Sequence, residues 1–302
     1  LSRIQLLKAV VSDIPMAVDY RLGAPSRAEQ LRKNRDGTAG RPDSAAIVRF
    51  DLATRHFDTA AFVRMYYPRI VSRPDAVHGG VWLSPVLNPM PVVDEWAVLS
   101  DGTLAIVRGE DYHVDYIDSA NRRVSGKKIP FASVRMTLAD KRSVIDSSKA
   151  LRARLVAQGF RISVNAAPTA ASGSPDDDAI IITDDEAKSP IEERQRPPVV
   201  YVKADELPGV QPTFTTGSVR ADAGGTLWIR TIPPSPPPAD ATYDVLDRTG
   251  SIVDRVLVPR NTVIAGFGPS GVVYLYTRDT SGTLTLTRAH DSGRASPSSR
   301  GM

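Results

Sequence analysis

A short alternating pattern recurs along this chain, and recurrence constrains a fold more tightly than any single motif. From Trp96 the sequence reads as a strand carrying Trp96 and Val98, a turn at Ser100, Asp101 and Gly102, and a second strand through Leu104, Ile106 and Arg108. A third strand follows from Tyr112 to Ile117, a turn from Asp118 to Arg122, and a fourth strand from Val124 to Ile129 that stops at Pro130. From Ser218 the order repeats: Val219 and Ala221, a turn from Asp222 to Gly225, then Leu227, Trp228 and Ile229. After a loop rich in proline, Pro233 to Pro238, come Tyr243 to Asp247, a turn at Arg248 to Gly250, and Ile252 to Val258 before Pro259. A third copy begins at Val263, turns over Gly266 to Ser270, and continues through Gly271, Val273 and Leu275 and then Thr283 to Thr287. Its turn glycine Gly271 lies 46 residues beyond Gly225, a spacing that suits a four-stranded unit of roughly 40 to 50 residues. A partial copy lies upstream, where Ile47 to Leu52 and His56 to Val63 flank a turn at Ala53 to Arg55, with Ile14 to Tyr20 as its inner strand.

Period-two alternation between turn residues is the trace of strands, and a small twisted sheet cannot bury both faces alone. Stacking on neighbouring sheets, with radial closure to protect the edges, resolves this. The expected fold is therefore all-β, a β-propeller of the six-bladed type spanning residues 1–290. Two stretches interrupt it. Leu138, Val144, Ile145, Leu151, Leu155 and Val156 recur among charged residues ahead of Gly159, which predicts an inserted amphipathic helix over 137–158. Residues 166–198 are rich in Ala, Ser, Pro and acidic side chains, a composition that predicts a flexible loop, with a brief strand at Ala179 to Ile182. Residues 291–302 read as a disordered polar tail.

Composition excludes several classes. With no cysteine, disulfides, thiolate metal sites and a cysteine nucleophile are ruled out. The net charge of +4 is dispersed along the chain, without the basic run that neighbouring phosphates require, so no nucleic-acid partner is expected. No stretch approaches the roughly 20 apolar residues of a membrane helix, so no membrane span is expected. The N-terminus lacks the basic-then-apolar order of a signal peptide. Because the sequence opens at Leu1 instead of Met, and within an apolar segment, the expectation is that upstream residues have been removed or were never included.

The runs DEWAVLSDGTLAIVRGEDYHVDYID, VRADAGGTLWIRTIPPSPPP and YDVLDRTGSIVDRVLVP resemble uncharacterised bacterial six-bladed propeller proteins, related in architecture to NHL-repeat and TolB-like propellers. The resemblance runs from Asp43 onward and rests on structural motifs. It implies a propeller, often exported from the cytoplasm and hence periplasmic or secreted, and it implies no activity. Six blades of about 45 residues would need about 270 residues of blade alone. Fewer than six complete blades are visible, so N-terminal blades are missing or some are degenerate.

Chemical motifs are sparse. His56, His78, His113 and His290 are scattered singly, without the spacing that pairs two imidazoles on one helical face. His113 stands out because alternation places it on one face with Asp111 and Asp115, where a solvated strand face explains the trio equally well. The acidic runs Asp176 to Asp178 and Asp184 to Glu186 offer oxygens for calcium, but they are contiguous, where calcium loops alternate ligands with spacers. No nucleophile elbow or phosphate-cradling loop is present, and Gly268 to Gly271 reads as a hairpin turn.

Geometry is what remains: propeller ligands meet the loops and inner strands at one end of the channel. By repeat position the candidate ligand-binding residues are Asp94 and Glu95, which with Trp96 begin an inner strand; Arg108, Glu110 and Asp111, which close the next; His113; and Arg230, at a comparable strand end. The competing structural reading makes Trp96 and Trp228 core between blades and the charges rim pairs. The leading expectation is a non-enzymatic protein that binds a protein or small ligand at one channel face, without a cofactor. One rival is a calcium-dependent propeller hydrolase or lactonase, for which Asn165 and Asn261 are available but unaligned with the repeat. The other is a scaffold that recruits partners through the inserted helix and loop.

Overall fold

The computed structural model describes residues 18–22, 44–51, 55–74, 81–157, 199–233, 240–259, 262–278 and 283–290. Within them the chain is mostly β, with five small sheets and one α-helix. Sheet I joins β1 (Val18–Leu22), β2 (Ser44–Asp51) and β3 (His56–Arg64). Sheet II joins β4 (Ile70–Pro74) and β5 (Val81–Leu87) to the short parallel strand β10 (Val200–Tyr201). Sheet III is the four-stranded meander β6 (Glu95–Val98), β7 (Leu104–Arg108), β8 (His113–Ile117) and β9 (Arg123–Ser125). Sheet IV repeats it with β11 (Val219–Ala221), β12 (Leu227–Arg230), β13 (Asp240–Leu246) and β14 (Ile252–Pro259). Sheet V comprises β15 (Thr262–Phe267), β16 (Val272–Arg278) and β17 (Leu284–His290).

Four of these sheets stack face to face in the order I, III, IV, V. Because successive residues of a strand point to opposite faces, the buried run Leu104, Ala105, Ile106, Val107 serves two interfaces at once. Leu104 and Ile106, with Trp96, Val98 and Ile117, pack on Ala45, Ile47 and Val63 of sheet I. Ala105 and Val107, with Ala97, Leu99, Val114 and Tyr116, pack on Val219, Leu227, Ile229 and Leu246 of sheet IV. Trp228, Tyr243, Val245 and Val258 turn the other way and meet Ile264 and Val273 of sheet V. A strand covered on both faces reads as an unbroken apolar run, as in LAIV and LWI, instead of an alternating one. Both tryptophans lie in interfaces between sheets, as the structural reading expects, but they face opposite ways along the stack. Sheets III and IV come closest at their first strands, β6 and β11. Among the described residues no sheet closes on itself.

Sheets III and IV are built alike, turn for turn. Leu99 N–H donates to Thr103 O at 2.8 Å and Gly102 N–H to Leu99 O at 2.9 Å; in sheet IV Asp222 N–H donates to Thr226 O at 2.9 Å and Gly225 N–H to Asp222 O at 3.1 Å. Gly102 and Gly225 hold φ of 83° and 79°, a left-handed conformation that glycine adopts without penalty. The next turn but one is closed in both sheets by an aspartate: the Asp118 carboxylate accepts from Ala120 and Arg122 N–H, and that of Asp247 from Thr249 and Ser251 N–H. This equivalence sets Arg220 where sheet III has Ala97, Arg230 where it has Val107, Tyr243 where it has Val114, and Asp244 where it has Asp115.

Sequence reading placed the strands of sheets III, IV and V and the β2–β3 hairpin within a few residues, the fourth strand of sheet III excepted. That strand spans only Arg123–Ser125. It missed sheet II, whose two-residue parallel strand carries too short a pattern to register. The helix α1 spans Leu138–Ala157, within the expected 137–158. Thr137 and Asp140 cap it reciprocally: Thr137 N–H donates to Asp140 Oδ2 at 2.8 Å, and Asp140 N–H to Thr137 Oγ1 at 3.2 Å. Its amphipathic character is slight, since Ile145 is its one buried residue, packed with Val86, Val202 and Leu207, whereas Leu138 and Leu151 are exposed. The expected loop 166–198, its strand at Ala179 to Ile182, the tail 291–302, both acidic runs, His78, Asn165, Asn261 and the stretch Ile14 to Ala17 lie outside the described residues. No helix among the described residues is long and apolar enough to cross a membrane.

Candidate functional site

Two polar constellations lie at the end of the stack where β6 and β11 begin. The first joins sheet III to sheet I and contains most of the residues expected from the sequence. Asp94, immediately before β6, is buried; its carboxylate accepts from Arg64 N–H at 2.9 Å, Gly109 N–H at 3.1 Å and Arg108 Nη1 at 2.8 Å. Arg108, at the end of β7, also donates from Nε to Asp115 Oδ2 at 2.7 Å and from Nη1 to Phe62 O at 2.9 Å. Asp115 receives further bonds from Arg123 and from the Ser125 hydroxyl. His113 stands between two carboxylates, with Nδ1 2.7 Å from Asp111 Oδ1 and Nε2 3.5 Å from Asp115 Oδ1. Glu110 reaches out to Arg64 at 3.2 Å. Glu95 is buried at the first position of β6, opposite Val107.

Of the two readings of Asp111, His113 and Asp115, the solvated strand face does not hold. Asp115 is 0% exposed, Asp111 belongs to the preceding turn and not to the strand, and the ionic groups between sheets I and III are an internal clamp. Burial works to raise the Asp115 carboxyl, but the bonds from Arg123, Ser125 and Arg108 outweigh it and hold the group down to about 2. Arg108 moves the opposite way: burial works to lower it, and the bonds to Asp115 and Asp94 raise it above the ordinary guanidinium value. A carboxylate fixed in its ionised form, with both oxygens occupied by donors, has little capacity left to shuttle a proton or hold a metal. The constellation is suited to joining two sheets. Among the described residues no group of three or more His, Asp or Glu side chains is placed to hold a metal ion.

Arg230 does not join this clamp. Both residues end the second strand of their sheet, as expected, but the turn-for-turn alignment sets Arg230 one residue short of Arg108, and a shift of one flips a side chain to the other face of its sheet. Arg108 shares the face of Leu104 and Ile106 toward sheet I, whereas Arg230 shares the face of Trp228 and Tyr243 toward sheet V. There it lines a cavity of about 360 Å³ with Arg220, Thr215, Thr231, Tyr243 and Val263. Burial raises the Tyr243 hydroxyl above its ordinary value, and the positive fields of Arg230 and Arg220 oppose that rise.

Sequence reading missed Asp115 as a buried residue, its partners Arg123 and Ser125, and Arg220 altogether. The first had a usable signal: VDYID in sheet III and YDVLD in sheet IV place an aspartate at the same point of the third strand, and both are buried and paired with arginine. A second opening, a groove of about 720 Å³, lies between α1 and the segment 199–205, with Arg142, Asp146 and Lys149 on the helix side. Comparison with protein-family models, with curated proteins and with solved structures returned no match for this chain.

Proposed function

We propose that this chain is a binding protein of propeller type, which holds a small ligand at the channel-side end of its stacked sheets, where β6 and β11 begin. The architecture is supported by sequential meanders that stack face to face and approach most closely at their first strands. In a radial arrangement those first strands line the axis, and ligands meet the loops at one end of it. The six-bladed count and the export implied by the family resemblance belong to the same proposal.

The observation that carries the functional reading is the contrast between the two constellations at that end. Carboxylates satisfy the arginine of the first, Arg108, whereas the second holds two arginines around an open cavity with no carboxylate among its lining residues. Binding there is reversible association at a preformed cleft, without a chemical step. The rival hydrolase reading needs calcium, so the test is a calcium titration of the full chain followed by melting temperature and by hydrolysis of a simple lactone and an aryl ester. A ligand that binds only the folded state must raise the melting temperature. An unchanged melt with no hydrolysis upholds the binding reading; calcium-dependent stabilisation together with turnover sinks it.

A further inference from the structure

We propose that the cavity between sheets IV and V is an oxyanion-binding site, in which Arg220 and Arg230 together grip one carboxylate or phosphate group of a small ligand. The inference rests on the binding reading above and names the ligand chemistry of that same site.

Internal repetition singles out Arg220 and Arg230. At the interface of sheets III and IV the positions equivalent to Arg220, Arg230 and Tyr243 are Ala97, Val107 and Val114, all buried and packed against sheet IV. At the next interface two of the three are arginines, and beside the apolar contacts of Trp228 and Tyr243 with Ile264 and Val273 lies a cavity of about 360 Å³.

Charge pairing also sets Arg220 and Arg230 apart. The other arginines at the sheet interfaces are matched: Arg49 by Asp58, Arg108 by Asp94 and Asp115, Arg248 by Asp101 and Arg255 by Asp244. Among the described residues Arg220 and Arg230 have no carboxylate partner, and no Asp or Glu lines their cavity. Both arginines line the same cavity as Tyr243, and both oppose the rise that burial imposes on its hydroxyl.

Hydrogen-bonding chemistry and size then narrow the ligand. Each guanidinium presents a planar fork of donors that matches carboxylate and phosphate oxygens. Thr215 and Tyr243 add hydroxyl groups to the lining. The volume falls near the lower end of the roughly 300 to 1,000 Å³ of small-molecule pockets. Such a site fits a small organic acid or phosphate ester, with its apolar part against Ile232, Pro233 and Val263.

Isothermal titration and thermal melting of the full chain with inorganic phosphate, succinate and acetate, each against sodium chloride of equal ionic strength, test the proposal. Phosphate or succinate is expected to bind and to raise the melting temperature beyond the chloride control, and the stronger of the two identifies which oxyanion the site prefers. R230Q is expected to weaken binding about tenfold, the loss of one charge-assisted contact, and R220Q/R230Q to abolish it. Should the double variant fail to fold, R230Q alone carries the test, because Arg230 is exposed. Absence of binding by all three anions, or binding by R230Q as tight as that of the parent chain, overturns the site. That failure differs from failure of the binding reading, which calcium-dependent hydrolysis alone reports.

Discussion

The hydroxyl of Tyr112, in the turn that leads into β8 of sheet III, donates to the carboxylate of Asp244 in sheet IV at 2.9 Å, and both groups are buried. Asp244 also accepts from Arg255 Nε at 3.0 Å, so a tyrosine, an aspartate and an arginine tie adjacent sheets together through an apolar interface. Burial raises the Tyr112 hydroxyl well above the ordinary phenol value, and the neighbouring Asp244 raises it further. Tyr112→Phe removes the donor and leaves Asp244 underpaired, at an expected cost of about 1 to 2 kcal/mol. Urea denaturation of the variant measures this. Tyr116→Phe is the control, because its hydroxyl donates to Asp247 O at the edge of the interface, and it should cost less.

Asp115 is the corresponding anchor between sheets I and III. Asp115→Asn keeps the shape and removes the charge that balances half-buried Arg108, which should cost about 3 kcal/mol, as when one partner of a buried ion pair is lost. Ser125→Ala at the same carboxylate should cost less, about 1 kcal/mol. A denaturation midpoint for Asp115→Asn equal to that of the parent chain would contradict the clamp.

The same carboxylate sets a pH dependence. Its folded value of about 2 lies below the ordinary 3.8, so the stabilisation is complete above the ordinary value and is lost as pH falls toward the folded one. The loss should total about 2 kcal/mol over this window. Denaturation midpoints between about pH 5 and pH 2 should fall with a shallower slope in Asp115→Asn than in the parent chain.

Gly109 leaves no room for a side chain: a Cβ there would lie 2.0 Å from the carbonyl oxygen of Val93. Its N–H also donates to Asp94 at 3.1 Å. Gly109→Ala should therefore cost about 2 kcal/mol or more through backbone displacement, whereas Gly209→Ala, where a Cβ meets nothing within 4 Å, should stay within about 0.5 kcal/mol of the parent. Thermal melting of the two variants side by side checks the contrast.

Trp228 is 2% exposed, with ring centroids 5.1 Å from Phe267 and 6.4 Å from Tyr243. Trp228→Ala should cost about 3 to 5 kcal/mol and loosen sheet V before the rest of the chain. Limited proteolysis should then cut first C-terminal to β14; cleavage within sheets I or III would contradict the prediction.

Much of this fold was legible because its turns carry chemistry. Gly102, Gly225 and Gly250 mark positions of positive φ, and the apolar residues between them mark strands, so the meanders could be laid out before any coordinates. Sheet II was not, since β10 contributes two residues from a segment more than a hundred positions away from β5, and pairing at that range leaves no local pattern. The site was half legible. Asp94, Arg108 and His113 do come together, but a strand end looks the same whether its charges meet water or one another. The face on which Arg230 falls depends on a single residue of register, which Arg220 opposite Trp228 settles only in three dimensions.

The stack has unequal members. Sheets III and IV are covered on both faces, whereas the outermost sheets leave Phe57 and Phe62 at one end and Leu284 and Leu286 at the other exposed. Each interface has its own apolar cluster, so cohesion passes only between neighbours, as in repeat proteins. Among the described residues sheets I and V each share one such cluster and sheets III and IV share two, so local opening should begin in sheets I and V. Amide hydrogens of β7 and β12 should accordingly be the last to exchange with solvent.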